Sequence, residues 1–296
     1  MKAAALFKEY VWLVNTISRA GRLTLRQINE RWTTTEMSEG IELSRSTFNR
    51  HRAAVEDIFG IIIDCDANHR YYILGDEILR QETVQNWMLS TMTVSNIVSE
   101  ARGLHDRILL ENIPSDGEHL RTVVDAMQRN LRISVGYQRY GFTGQALWTL
   151  EPYCIKLFRR RWYLLSRFPA GRYMTLSFDR MLSLSLTDET FTIDPQFDAQ
   201  TYFYNYFGIM TDDNLPIEHI VVRAFGNERY AMRDLPMHHS QHIIQEGEDY
   251  VDFELCLRPT SDFIAHILSR GRWIKVLEPE YIAQKIRQSH SESTTI

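Results

Sequence analysis

An α+β chain of several domains is predicted by three changes of pattern along the sequence. Three helical segments and a short hairpin open it, the apolar period falls to two at Leu131, and a βαββαβ order follows later. At 296 residues the chain exceeds one small core, so each region is expected to bury its own. The expected boundaries are 1–80 for a winged helix-turn-helix, 81–129 for a helical linker, 130–190 for a small β-barrel and 191–296 for a ferredoxin-like extension.

The first region opens with Leu6, Val11, Leu13, Val14 and Ile17 near helical spacing, and Gly21 stops that helix. Leu23 to Trp32 reads as a second, short helix with Thr24 as its cap. A third runs from Ser44, an N-cap residue, to Gly60. On its wheel Phe48, Val55 and Phe59 fall together, with His51 and Ile58 beside them, while Ser46, Asn49, Arg50 and Ala53 lie opposite. The first set is core. The second carries a hydroxyl, an amide and a guanidinium that can bond base edges in a major groove. Arg45, Arg52 and His51 flank that strip as phosphate contacts, whereas Glu56 and Asp57 repel phosphate, so only the amino-terminal half is expected to enter double-stranded DNA. The run IIIDCDANHRYYIL then reads as a hairpin turning between Asp64 and Asn68. A helical interaction module with solvated arginines is the competing reading, and the polar strip disfavours it.

Residues 76 to 128 read as helix interrupted at Asn112 to Gly117, a linker with dimerisation potential through Trp87, Met88, Met92, Ile97, Val98, Leu104, Ile108 and Leu109. From Leu131 strands are expected at Leu131 to Tyr137, Tyr153 to Phe158, Trp162 to Arg167, Tyr173 to Phe178 and Met181 to Leu186. Closure into a barrel would remove their exposed edges.

Composition narrows the function. The chain is 44% hydrophobic and 24% charged with net charge −5, and Lys8 and Glu9 break its apolar opening. No apolar run approaches the roughly 18 residues that cross a bilayer. Three scattered cysteines, Cys65, Cys154 and Cys256, lack CxxC spacing, so a cytoplasmic chain without disulfides or zinc is expected. Charge is uneven, however. Residues 132 to 180 hold nine Lys and Arg against two acids, a local +7, while residues 1 to 80 balance. An anionic partner for the central module follows.

The run RRRWYLLSR, with EPY before it and SFDRM after it, resembles the WYL-domain family through Trp162, Tyr163 and Leu164, Asp179 and Arg180, and Tyr137. The resemblance covers essentially the full chain. It implies a bacterial transcription regulator that joins a winged helix to a barrel of Sm and SH3 type, with a carboxy-terminal extension for dimers or sensing. A ligand pocket of Tyr137, Arg139, Tyr153, Tyr163 and Arg180 is also implied. Tyrosines and arginines together stack on nucleobases and pair with phosphates, so the effector is read as an anionic nucleotide or oligonucleotide. The sequence departs from many relatives in lacking an arginine shortly before Asp179, where Met174 and Ser177 stand. Arg159 to Arg161 read most simply as a solvated turn.

In the last region strands are expected at Ile217 to Phe225, His238 to Gln245, Tyr250 to Arg258 and Trp273 to Leu277, with helices at Glu228 to Leu235 and Ser261 to Arg270. By the resemblance, His239, Ser240 and Gln241 touch a partner or ligand. His238, His239 and His242 lack an HExxH pattern or a carboxylate set, so no metal is expected. With no GxSxG, P-loop or GxGxxG, an enzyme is not expected, and no cofactor is called for. The expectation is a DNA-binding regulator, acting as a homodimer, whose barrel senses the effector. A single-stranded nucleic-acid binder without operator recognition is the alternative.

Overall fold

The computed structural model describes residues 2–75, 83–100 and 117–294. The chain is mixed α and β and divides into two compact units, Met1–Glu111 and Asn112–Ile296.

In the amino-terminal unit, helix α1 (Lys2–Ala20) leads to the short strand β1 (Leu23–Thr24), helices α2 (Leu25–Trp32) and α3 (Arg45–Phe59), and strands β2 (Ile63–Cys65) and β3 (Arg70–Ile73). Thr24 caps α2 in a full capping box, its side chain accepting from Gln27 N while Gln27 reaches back to Thr24 N. Such a cap contributes about 1 kcal/mol. Strand β3 lies between β1 and β2, all antiparallel. Val14, Ile17, Ile28, Phe48 and Val55 fill the core, each wholly buried.

The hairpin tip turns on Asp66. Its carboxylate accepts from Asn68 N and Arg70 N and pairs with Arg22 and Arg70, and these bonds, led by the Arg70 backbone, pull its pKa down to about 2. The expected turn residues therefore form the tip, moved two positions along.

Helix α4 (Val84–Glu100) belongs to this unit. Leu89 and Met92 pack into its core, and Asn15 Nδ2 donates to Thr93 Oγ1 at 2.8 Å. The expected linker thus begins as part of the amino-terminal core. The side chains of Ile97 and Val98, together with Leu104, Ile108, Leu109 and residues 112–116 of the expected interruption, lie outside the described residues.

In the second unit, helix α5 (Gly117–Arg129) buries Val123 and Ala126 against strands β4 (Leu131–Gln138), β5 (Gln145–Phe158), β6 (Arg161–Arg167), β7 (Tyr173–Ser177) and β8 (Met181–Thr190). Their antiparallel order is β7-β6-β5-β4-β8. Among the described residues hydrogen bonding does not close the ring as the sequence led one to expect, for β7 and β8 are its two ends. A 3₁₀ turn, Phe178–Arg180, carries the chain between them, and the Tyr137 phenol spans the gap by accepting from Ser177 N at 3.1 Å.

A short helix α6 (Ala199–Phe203) precedes β9 (Glu218–Phe225), α7 (Glu228–Asp234), β10 (His242–Glu246), β11 (Tyr250–Leu257), α8 (Ser261–Ser269), β12 (Ile274–Glu278) and α9 (Glu280–Thr294). The sheet order β10-β11-β9-β12 is antiparallel throughout. Ile220, Val222, Phe253 and Leu255 alternate into a core shared with Phe263, Ile267 and Ile282. Helix α9 has no counterpart in the sequence reading. Among the described residues no helix is long and apolar enough to cross a membrane.

Candidate nucleic-acid and ligand-binding surfaces

The start of α3 is fixed from two sides. Asn29 clamps the preceding loop, donating to Leu43 O at 3.1 Å and accepting from Leu43 N at 2.9 Å, while Ser44 caps the helix by accepting from Thr47 N. Held in this way, α3 exposes Arg45, Ser46, Asn49, Arg50 and Ala53, and buries Phe48, Val55 and Phe59. The Ser46 hydroxyl lies 3.0 Å from that of Ser44, so it shares the cap.

Two flanking residues are placed differently from the phosphate contacts read in the sequence. His51 is 1% exposed, and its Nε2 lies 3.3 Å from Glu9 Oε2. Burial pushes the His51 pKa down and that of Glu9 up, so both are drawn toward their neutral forms. A phosphate cannot reach it. Arg52 donates to Ile63 O through Nε at 2.9 Å and also through Nη2, and its guanidinium lies 5.1 Å from the Tyr71 centroid. It braces α3 to the hairpin.

On the second unit four of the five sequence-derived ligand residues gather at one end of the five-stranded sheet. Tyr137, on β4, is buried, with its hydroxyl engaged by Ser177. Arg180, leaving the 3₁₀ turn, donates to Gln138 O at 2.5 Å and lies 4.9 Å from the Tyr137 centroid and 3.4 Å from that of Tyr140. Gln138 in turn donates to Phe142 O at 2.8 Å, which folds the β4–β5 loop back on itself. Arg139 stands on that loop, 4.2 Å from the Phe142 centroid. Tyr163 is half-buried on β6.

Arg161, which the sequence left in a turn, and Tyr140, which it did not single out, complete the group. Arg161 donates to Asp179 Oδ2 at 2.6 Å, and its pKa is raised by hydrogen bonds to the phenols of Tyr140 and then Tyr163, with the Asp179 charge adding to them. Tyr140 is 70% exposed and Phe142 57%, so both rings offer a face to solvent. The signal for Arg161 was its spacing of two from Tyr163, which places both on one face of a strand.

Tyr153 does not belong to this group. It is packed among Tyr173, Phe191 and Phe197, at centroid distances of 5.2, 6.0 and 4.8 Å, and its hydroxyl accepts from Arg167 at 3.3 Å. The register shifts between Pro152 and Cys154, and the bulge turns Tyr153 away.

Nor are Ser240 and Gln241 free to meet a ligand. Ser240 Oγ accepts from Cys256 N at 2.8 Å, and Gln241 ties Met237 N to Met232 O. His238 is buried between Ser240 and Tyr204 O, His239 packs on Tyr204, and His242 lies 3.2 Å from Glu254.

The arrangement suits a flat, anionic ligand: exposed rings for stacking, and guanidiniums held by neighbours so that little order is lost on binding. Residues 118–186 match the WYL domain, and residues 216–292 match the WCX domain. Among solved structures, proteasome accessory factor B/C (PafBC) of Arthrobacter aurescens is similar at 17% identity and a TM-score of 0.35, over 95% of this chain and 46% of that one. A CRISPR Cas-related protein is similar at 11% identity and a TM-score of 0.24, over 60% of this chain and 52% of that one. The chain thus spans about half the length of each of these two structures. No curated protein matches it. The chain thus carries a WYL domain followed by a WCX domain.

Proposed function

We propose that this protein is a DNA-binding transcription regulator whose WYL domain takes an anionic nucleotide or oligonucleotide. The amino-terminal unit acts as a winged helix-turn-helix, with α3 as reader and the β2–β3 hairpin as wing. Asn49 and Arg50 contact base edges, Arg45 and the wing meet phosphates, and Arg52 sets the angle between reader and wing. The WYL strands act as an SH3-like barrel, and the carboxy-terminal βαββαβ sheet as a ferredoxin-like domain.

The observation that carries the ligand reading is the Arg161, Tyr140, Arg180 group, two guanidiniums beside an exposed ring. Arg161 and Arg180 pair with phosphates, Tyr140 and Tyr163 stack on bases, and Tyr137 holds Arg180 in place. A ligand alters DNA binding only if it favours one arrangement of the chain over another.

The test is fluorescence anisotropy of a labelled single-stranded oligonucleotide against the full chain and the Arg161→Ala, Arg180→Ala double variant. Loss of two phosphate contacts is expected to weaken binding about tenfold or more and to flatten its salt dependence. Equal affinity and equal salt slope in both proteins would remove the basis of the ligand reading.

A further inference from the structure

We infer that the WCX domain holds a second, separate ligand site: a cleft of about 460 Å³ beside β12 that takes a small organic anion with an apolar body. Strand β12 ends its sheet, with β9 as its one neighbour among the described residues, and α9 packs over it. Ile274, Ala283 and Ile286 present apolar surface to the cleft, while Arg272, Lys275 and Arg287 supply three cations and no carboxylate lines it. Glu280 pairs with Arg287, so Arg272 and Lys275 are the cations left to a ligand.

The rim is held in place. Gly226, at a φ of 55°, lies so close under the Trp273 indole that a Cβ there would come within 2.9 Å of it, which fixes the ring. The Arg272 guanidinium lies 4.4 Å from that indole's centroid. A volume within about 300 to 1,000 Å³ is typical of small-molecule sites, and an apolar lining with a few charges selects for one end of the ligand. A neutral hydrocarbon would leave Arg272 and Lys275 unused, and a bare inorganic anion would leave the apolar surface wet.

The probes are 8-anilinonaphthalene-1-sulfonate and its uncharged parent N-phenyl-1-naphthylamine, titrated into the full chain and an Arg272→Ala, Lys275→Ala double variant. Both positions are exposed, so the fold is expected to persist; if the double variant melts early, Lys275→Glu alone gives the same comparison. The sulfonate is expected to bind about tenfold more weakly to the variant, with the neutral dye changed less than about twofold. Equal sulfonate affinity in both proteins would overturn the site. Sulfonate binding that disappears as sedimentation shows two chains pairing would assign the cleft to a second copy and overturn it equally. The Arg272, Lys275 variant leaves the Arg161 and Arg180 group intact and the Arg161, Arg180 variant leaves this cleft intact, so the two readings fail independently.

Discussion

Arg180 holds its guanidinium 3.4 Å from the centroid of Tyr140, a ring that is 70% exposed. The same guanidinium donates to Gln138 O, and Gln138 ties down the loop that carries Tyr140. One side chain therefore organises both the charge and the stacking surface of the WYL domain. A cation over an exposed ring is worth about 0.5 to 1 kcal/mol, and a charge-assisted hydrogen bond about 1.5 to 3.

Removing Arg180 should then cost stability as well as binding. Arg180→Ala is expected to lower unfolding free energy by about 2 kcal/mol, read from urea melts, because both interactions go at once. Arg180→Lys restores a charge but not the fork, and is expected to recover stability more fully than oligonucleotide affinity. A lysine variant with parental affinity would mean that charge alone matters.

Tyr153→Phe separates the two aromatic groups of the second unit. It removes the hydroxyl that accepts from Arg167 and leaves the ring among Tyr173 and Phe197. A loss of about 1 kcal/mol in stability is expected, with oligonucleotide affinity unchanged. If affinity falls as it does for Arg180→Ala, Tyr153 lies closer to the ligand than its packing allows.

On α3, Arg50→Ala is expected to cost about 1 to 3 kcal/mol of discrimination between the preferred duplex and a scrambled one. Arg45→Ala should weaken both duplexes alike and reduce the salt slope by about one. Competition binding at two salt concentrations distinguishes them, and matching losses for the two variants would make Arg50 a backbone contact.

The helix that carries these arginines was legible because its ends are chemical: Ser44 caps it, and Gly60, at a φ of 65°, stops it. The onset of β4 was legible because Leu131, Ile133 and Val135 alternate into the core. Alternation did not reveal where β5 bulges, and that bulge decides which face Tyr153 takes. The turn between β5 and β6 was legible at Arg159 to Arg161 but read one residue too long. Arg159 and Arg160 both adopt positive φ, 46° and 65°, and form a two-residue turn usually left to Asn and Gly, while Arg161 is already strand. Helix α9 was missed because its buried stripe is short, Ile282, Ala283 and Ile286, within a run of polar residues.

That hairpin turn also makes the second unit sensitive to acid. Arg159 Nη2 donates to His266 Nδ1 at 2.6 Å, and Phe207 stacks on the same imidazole with centroids 5.0 Å apart. Burial, followed by the charges of Arg159 and Arg270, pushes the His266 pKa down to about 4. His238 is pushed to about 4 as well, by burial and then by His239. Both imidazoles are neutral in the folded chain and take up a proton in the unfolded chain below their ordinary value of 6.5. Their contribution is complete above that value and is lost as pH falls from there toward 4. Melting temperature is expected to drop across this window and to drop less in His266→Gln, which keeps an acceptor for Arg159 without the titration. Parallel melting curves for the two proteins between neutral pH and the lower end of the window would show that His266 is already protonated in the fold, against the donor geometry of Arg159.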